Sequence, residues 1–287
     1  MILDTQVHLW EAERPDRPWR GDRKPSLPEP FGPEQILPMM EAAGVERAII
    51  VPPGIMGTDN RYGLECAAAY PDRFAVMGLI DTRAADIDHQ VAHWLKQPGM
   101  VGIRTHLHAA ERATWLDDRV LDRFWSACER YQVPVAVFLA GSMAIAGEVL
   151  ARFPALKLIV DHIGLPQIDV SSTHPDLPGL LALQQYPNVA IKLSTAASRS
   201  ATGYPFPEVH NLIQTVLQTF GPRRCFFGSD HTQQLARGRA SYQQEVDLFR
   251  VALPLSEDER AWVLGRSAAD YLGWPEAVPS TALAQRG

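Results

Sequence analysis

Cysteine is scarce in this chain: three residues, Cys66, Cys128 and Cys225, an odd number without metal-ligand spacing. That excludes a disulfide framework and predicts reduced thiols in a cytosolic protein. No apolar run approaches the roughly 20 residues of a membrane span, so no membrane partner is expected. A basic leader followed by an apolar stretch is also missing, since an apolar strand starts at once; a cytoplasmic location is expected. Positive charge is not in excess: the net charge is −6, which argues against a nucleic-acid partner. After the first strand there is no glycine-rich phosphate fingerprint, which weakens a dinucleotide-binding reading.

What is present is a core. Hydrophobic residues make up 46% of the 287, ordinary for a soluble domain of this size. Short apolar runs alternate with helical stretches along the chain. The runs are 1–10, Arg47–Val51, Phe74–Ile80, Val101–Leu107, Pro134–Leu139, Leu156–Asp161, Val189–Leu193 and Cys225–Gly228. Between and after them, helices are predicted over Glu34–Ala43, Asn60–Tyr70, Ala84–Gln97, Asp118–Tyr131, Met143–Phe153, Leu177–Gln185, Pro207–Phe220, Ser241–Ala252 and Ser256–Leu272. Gly44 reads as a C-terminal stop, and Ser256 with Glu259 has capping-box spacing. Eight strands with crossover helices predict an α/β fold, a closed (β/α)8 barrel in one domain over residues 1–275. Residues 276–287 read as a loose tail.

In such a barrel the catalytic groups gather at the C-terminal ends of the strands. Alternation places Asp4, Gln6 and His8 on one face of the first strand, with Gln6 and His8 at its end. Strand four brings Arg104 and His106, strand six ends in Asp161-His162, strand seven carries Lys192 and Ser194, and strand eight leads to Asp230. Strand five offers only Phe138. Imidazoles, a carboxylate and a guanidinium converging on one mouth suit hydrolysis. Each has a plainer alternative. His8 would serve equally as a satisfied core histidine, Asp230 as a helix cap, and His106 stays undecided. His108 reads as a solvated loop residue, and His89, His93, His174 and His210 as surface or helix residues. The loop from Glu11 to Pro33, with Arg14, Arg17, Arg20, Arg23 and Lys24, is either a solvated surface or a contact for an anionic substrate.

Five segments in register carry a resemblance: Ile2–Trp10, Gly102–Arg104, Val160–Gly164, Pro187–Ser194 and Phe227–Asp230. With the closing Ala261–Gly273 helix, they resemble the amidohydrolase-related (amidohydrolase 2) family over about residues 2–274. The closest likeness is to its 2-pyrone-4,6-dicarboxylate lactonase-like barrels. The resemblance implies a TIM-barrel hydrolase that opens a lactone of a small, carboxylated substrate. The family's first-strand motif is His-x-His, whereas this chain has Gln6-x-His8. Its metal-using members carry a histidine on strand five, where this chain has Phe138. Zinc prefers imidazole, thiolate and carboxylate to a neutral amide, so no metal cofactor is expected. His231 stands where relatives place tryptophan.

The expected roles follow. Asp230 is the general base, with His8 and His162 as electrophiles. Arg104, Gln6, Lys192 and His106 bind substrate. The alternatives are a metal-dependent decarboxylase or hydratase of the same fold, and a non-catalytic binding barrel. A homo-oligomer remains open.

Overall fold

The computed structural model describes residues 1–20, 24–106, 119, 121–166 and 174–274. Eight parallel strands lie side by side in chain order. They are β1 (Leu3–Val7), β2 (Arg47–Ile50), β3 (Phe74–Leu79), β4 (Met100–His106), β5 (Val135–Phe138), β6 (Leu158–Val160), β7 (Val189–Lys192) and β8 (Cys225–Phe226). The order is the one expected of a (β/α)8 barrel. The seam between β8 and β1 is nearly closed by backbone hydrogen bonds, Thr5 N–H to Phe227 O at 3.1 Å and Asp230 N–H to Gln6 O at 2.9 Å. Asp230 is thus tied by its own backbone to the strand that carries Gln6 and His8.

The crossover helices are α1 (Pro33–Ala43), α2 (Arg61–Ala69), α3 (Ile87–Trp94), α4 (Asp122–Arg130), α5 (Met143–Arg152), α6 (Leu177–Ala182) and α7 (His210–Phe220). After β8 come α8 (His231–Ala236), α9 (Tyr242–Asp247), α10 (Glu257–Ala261) and α11 (Ser267–Leu272). Gly44 ends α1 at φ 73°, and the Ser256–Glu259 capping box forms as read from its spacing. The expected closing helices contain π turns at Leu248–Ala252 and Trp262–Arg266. A π turn frees a carbonyl from the helical ladder. The Val263 carbonyl accepts the Phe227 N–H at 2.8 Å, anchoring the chain just before the Asp230 turn.

Two apolar layers hold the barrel. Side chains of alternate strand residues, among them Leu3, Ile49, Met77, Ile159 and Phe226, fill its interior. Ala268 and Ala269 of α11 belong to the same cluster, and Tyr271 and Trp274 pack against it, so α11 plugs the barrel at one end. The opposite phase, including Ile50, Val76, Ile103, Val137, Val160 and Ile191, packs outward against the helices. Among the described residues no helix is long and apolar enough to cross a membrane.

One expectation is corrected here. Asp4 does not share a face with Gln6 and His8. The β1–β2 register advances three residues on β1, Asp4 to Val7, against two on β2, Ala48 to Ile50. This bulge shifts the alternation by one. Leu3 belongs to the barrel interior and Val7 to the outer layer, although both are odd-numbered. Asp4 instead accepts hydrogen bonds from Tyr242 of α9, at 3.0 Å, and from the Ser229 hydroxyl, at 2.6 Å.

Candidate active site

Gln6 and His8 leave the end of β1 on the inner side of the bulge. The His8 Nδ1 atom lies 2.7 Å from the Val51 carbonyl. A carbonyl only accepts, so that contact assigns the hydrogen to Nδ1 and turns Nε2 away from it. His8 Nε2 lies 3.1 Å from Asp230 Oδ1. Asp230 is 1% exposed, and its Oδ1 makes no aligned hydrogen bond among the described residues. Its backbone sits at φ 56°, ψ 38°, a left-handed conformation that costs a non-glycine residue energy and tends to persist at functional sites. Gly228, two residues earlier, lets the turn come this close: a Cβ there would fall 2.9 Å from Thr5 Oγ1.

The amide of Gln6 is oriented by its neighbours. Lys192 Nζ donates to Gln6 Oε1 at 2.8 Å, so the Gln6 NH2 group faces His8 Nε2, at 3.4 Å. Lys192 also pairs with Asp161 Oδ1 at 2.8 Å, and Arg104 Nε donates to Asp161 Oδ2 at 3.1 Å. All three are buried, at 1%, 0% and 5% exposure. Burial alone would raise the Asp161 pKa, but the charges of Lys192 and Arg104 outweigh it and hold the carboxyl below its usual range. Asp161 is the residue that sequence reasoning left without a role. Its signal was its place at the end of the sixth apolar run, in phase with the barrel interior. Arg104 and Lys192 meet each other through it.

His162 follows β6 in a left-handed turn, φ 55°, with Ile163 at φ 59°. Its Nδ1 lies 2.8 Å from Ser194 Oγ, and its ring packs against the edge of Phe138, centroids 5.5 Å apart. Burial pushes the imidazole pKa down to about 4, against the pull of Asp230 and Asp161. At neutral pH it is an uncharged donor–acceptor ring. His231 is also buried and pushed down to about 4 by desolvation. Its Nδ1 lies 3.1 Å from Glu245 Oε2 on α9, and burial holds Glu245 well above the ordinary carboxyl value. A neutral Glu245 acid can donate from Oε2 to the neutral imidazole, while its Oε1 has no hydrogen-bond partner among the described residues. The Tyr242 ring packs edge-on against His231 at 5.1 Å.

The arginines of the first loop are largely committed. Arg17 pairs with Glu11 and Glu65, and Arg14 with Glu11 and Asp16. The His106 side chain, His108, Arg23 and the 276–287 tail lie outside the described residues.

An eight-stranded parallel barrel whose strand ends bring together a carboxylate, two imidazoles and a buried cationic pair is the architecture of a barrel hydrolase. The chain belongs to the amidohydrolase family, whose sequence model matches residues 3–274. It is 26% identical over 278 residues to the L-fucono-1,5-lactonase of Burkholderia ambifaria, covering 94% of each chain. It is 26% identical over 229 residues to the 4-sulfomuconolactone hydrolase of Hydrogenophaga intermedia, covering 79% of this chain and 73% of that protein. Among solved structures, an amidohydrolase from Burkholderia multivorans with bound zinc superposes with a TM-score of 0.78. It is 25% identical, with 96% of this chain and 100% of that chain covered.

That zinc invites a test of the donors present here. Gln6 turns its NH2 group, which cannot ligate a cation, toward His8, because Lys192 holds its oxygen. Phe138, at the end of β5, offers a phenyl ring with no donor atom, packed at 69° to the His162 ring. Among the described residues no group of three or more His, Cys, Asp or Glu side chains is placed to hold an ion. His8 and Asp230 alone make a poor set for a tightly held divalent ion.

Proposed function

We propose that the protein hydrolyses a lactone, a cyclic ester, with Asp230 as general base and His8 and His162 as electrophiles. The observation that carries this reading is the 3.1 Å approach of Asp230 Oδ1 to His8 Nε2 at the C-terminal rim of the barrel. Both atoms carry lone pairs, and at that distance they repel unless a hydrogen lies between them. The pair therefore shares one hydrogen, which either partner can give up. Such a pair supplies an acceptor for a proton from water and a donor for a carbonyl oxygen.

The reaction then runs with the chain's own groups. Water attacks the lactone carbonyl while Asp230 takes its proton. The developing oxyanion is met by His8 and His162, both buried, where hydrogen-bond donors are strongest. The ring C–O bond breaks, and the proton held by Asp230 passes to the leaving alkoxide. The product is a hydroxy acid.

Lys192 and Arg104 are buried together on Asp161, and an ammonium and a guanidinium at the strand ends suit recognition of a carboxylate on the substrate. Arg104 and Lys192 are its proposed anchors, with Gln6 and His106 as polar contacts. The names of the two curated relatives, both lactone hydrolases, support the lactone class. A metal-dependent decarboxylase draws less support, since the Gln6 amide and Phe138 replace two of its donors.

The test is hydrolysis of a panel of lactones, followed by acid release. Turnover of at least one member, abolished by His8→Ala, is expected. A panel that includes sugar lactones and carboxylated unsaturated lactones and shows no turnover would refute the reading.

A further inference from the structure

The rim of this barrel stores backbone strain at several points, and two of them share one anchor. His162 and Ile163 lie at φ 55° and 59° after β6, and Thr195 at φ 60° after β7. Left-handed backbone is costly for β-branched isoleucine and threonine, and it persists only where the surroundings over-determine it. The buried guanidinium of Arg199, 2% exposed, reaches both turns. Its Nη2 donates to the His162 carbonyl and to the Leu165 carbonyl, each at 2.7 Å. Its Nη1 donates to Thr195 Oγ1 at 2.7 Å and to the Thr195 carbonyl at 3.2 Å.

These two turns carry the two halves of one contact. His162 holds the imidazole, and Ser194, next to Thr195, holds the hydroxyl 2.8 Å from its Nδ1. The Ser194 hydroxyl can donate to Nδ1 or accept from it, so the contact orients the ring and couples its tautomer to the position of Ser194: where the hydroxyl donates, Nε2 carries the hydrogen. We infer that Arg199 is a positioning residue for the reaction: by clamping the turns after β6 and β7 together through their carbonyls and the Thr195 hydroxyl, it fixes the His162 imidazole against Ser194. The planar fork of arginine matters here. Lysine presents one compact ammonium and cannot bridge carbonyls on two separate turns in fixed directions. This role rests on the proposed place of His162 in the reaction.

The experiment is a double-mutant cycle with a spectroscopic arm. Arg199→Lys and Thr195→Val are each made alone and in a His162→Gln background. Thr195→Val keeps the volume and removes one acceptor of the clamp, so it carries the test if Arg199→Lys does not fold. On the best lactone, either change should lower kcat, by about 10- to 100-fold for Arg199→Lys, with little change in KM. The same change in the His162→Gln background should leave the residual rate nearly unaltered. In parallel, the ring-nitrogen NMR shifts of His162 should move in both single variants, reporting a changed tautomer balance. Equal losses in both backgrounds, or unmoved His162 shifts in a folded variant, would overturn the inference and make Arg199 a purely structural clamp. The NMR arm needs no substrate, so absence of lactone hydrolysis would remove the functional reading while still deciding whether Arg199 sets His162.

Discussion

Asp230 Oδ1 lies 3.1 Å from His8 Nε2 across the seam where the last strand of the barrel meets the first. Their residues are 222 apart in the chain, yet the Asp230 N–H donates to the Gln6 carbonyl, two residues before His8. Behind the turn, Ser229 donates its N–H and its hydroxyl to Asp4, at 2.8 Å and 2.6 Å. Tyr242 completes the shell around Asp4. Asp230 and His8 are therefore held by backbone and by a buried carboxyl group on the far side of β1.

Removing the proposed base tests this arrangement directly. Asp230→Asn is nearly isosteric and keeps the backbone hydrogen bond to Gln6. It should lower kcat by about 10²- to 10⁴-fold while KM and the circular dichroism spectrum stay close to wild type. A folded variant that keeps more than about a tenth of the wild-type kcat would place the base elsewhere.

Arg104→Lys addresses the anionic substrate. The guanidinium Nε bonds Asp161, and a lysine at this position keeps the charge but loses the planar fork. A loss of roughly 1.5–3 kcal/mol, about 10- to 150-fold in kcat/KM, is expected on a carboxylated lactone. An unchanged kcat/KM on the best substrate would show that the anion is gripped by other groups.

The donor set leads to an expectation about metal. Wild-type activity should survive prolonged chelation, because Lys192 holds the Gln6 oxygen and leaves its NH2 group, which cannot ligate a cation, facing His8. Gln6→His should raise zinc affinity, read by calorimetry. Stoichiometric zinc or manganese in purified wild type, lost together with activity on chelation, would contradict it.

Buried histidine makes stability depend on pH with a definite sign. His162 stays neutral in the fold down to about pH 4, whereas its unfolded value is 6.5. Between those values the unfolded chain binds the extra proton, so stability falls as pH drops from 6.5 toward 4. The contribution of Asp161 has its own window: it is present above the ordinary carboxyl value of 3.8 and is lost as pH falls below it. The His162 effect amounts to roughly 3 kcal/mol over its window. Urea midpoints of His162→Gln measured from pH 4 to 7 should show a flatter slope than wild type. Parallel slopes would mean that His162 is not the buried neutral group.

Much of the fold was legible along the chain. Eight short apolar runs alternating with helical stretches, the stop at Gly44 and the Ser256–Glu259 cap are local signals that need no partner to be read. The candidate residues His8, Arg104, His162, Lys192 and Asp230 were legible for the same reason, since a polar group at the end of an apolar run has few other uses. Asp4 was misplaced because a bulge is a property of two strands in register, and neither strand announces it alone. Asp161 was passed over because its role is to balance Lys192 and Arg104, which lie on other strands. The π turn at Trp262–Arg266 exists to meet the Phe227 N–H, a partner outside the helix.

The amino-acid sequence by itself determined the eight-strand alternation, the helix ends and the kinds of polar group at each strand end, because these depend on propensity and period over a few neighbouring residues. Only the tertiary structure decided which of those groups touch: that His8 meets Asp230, that Gln6 turns its NH2 inward, and that Asp161 gathers both cations. Those choices are electrostatic and steric contests among side chains brought together by strand pairing. Their outcome depends on burial and distance, which closure of the barrel creates.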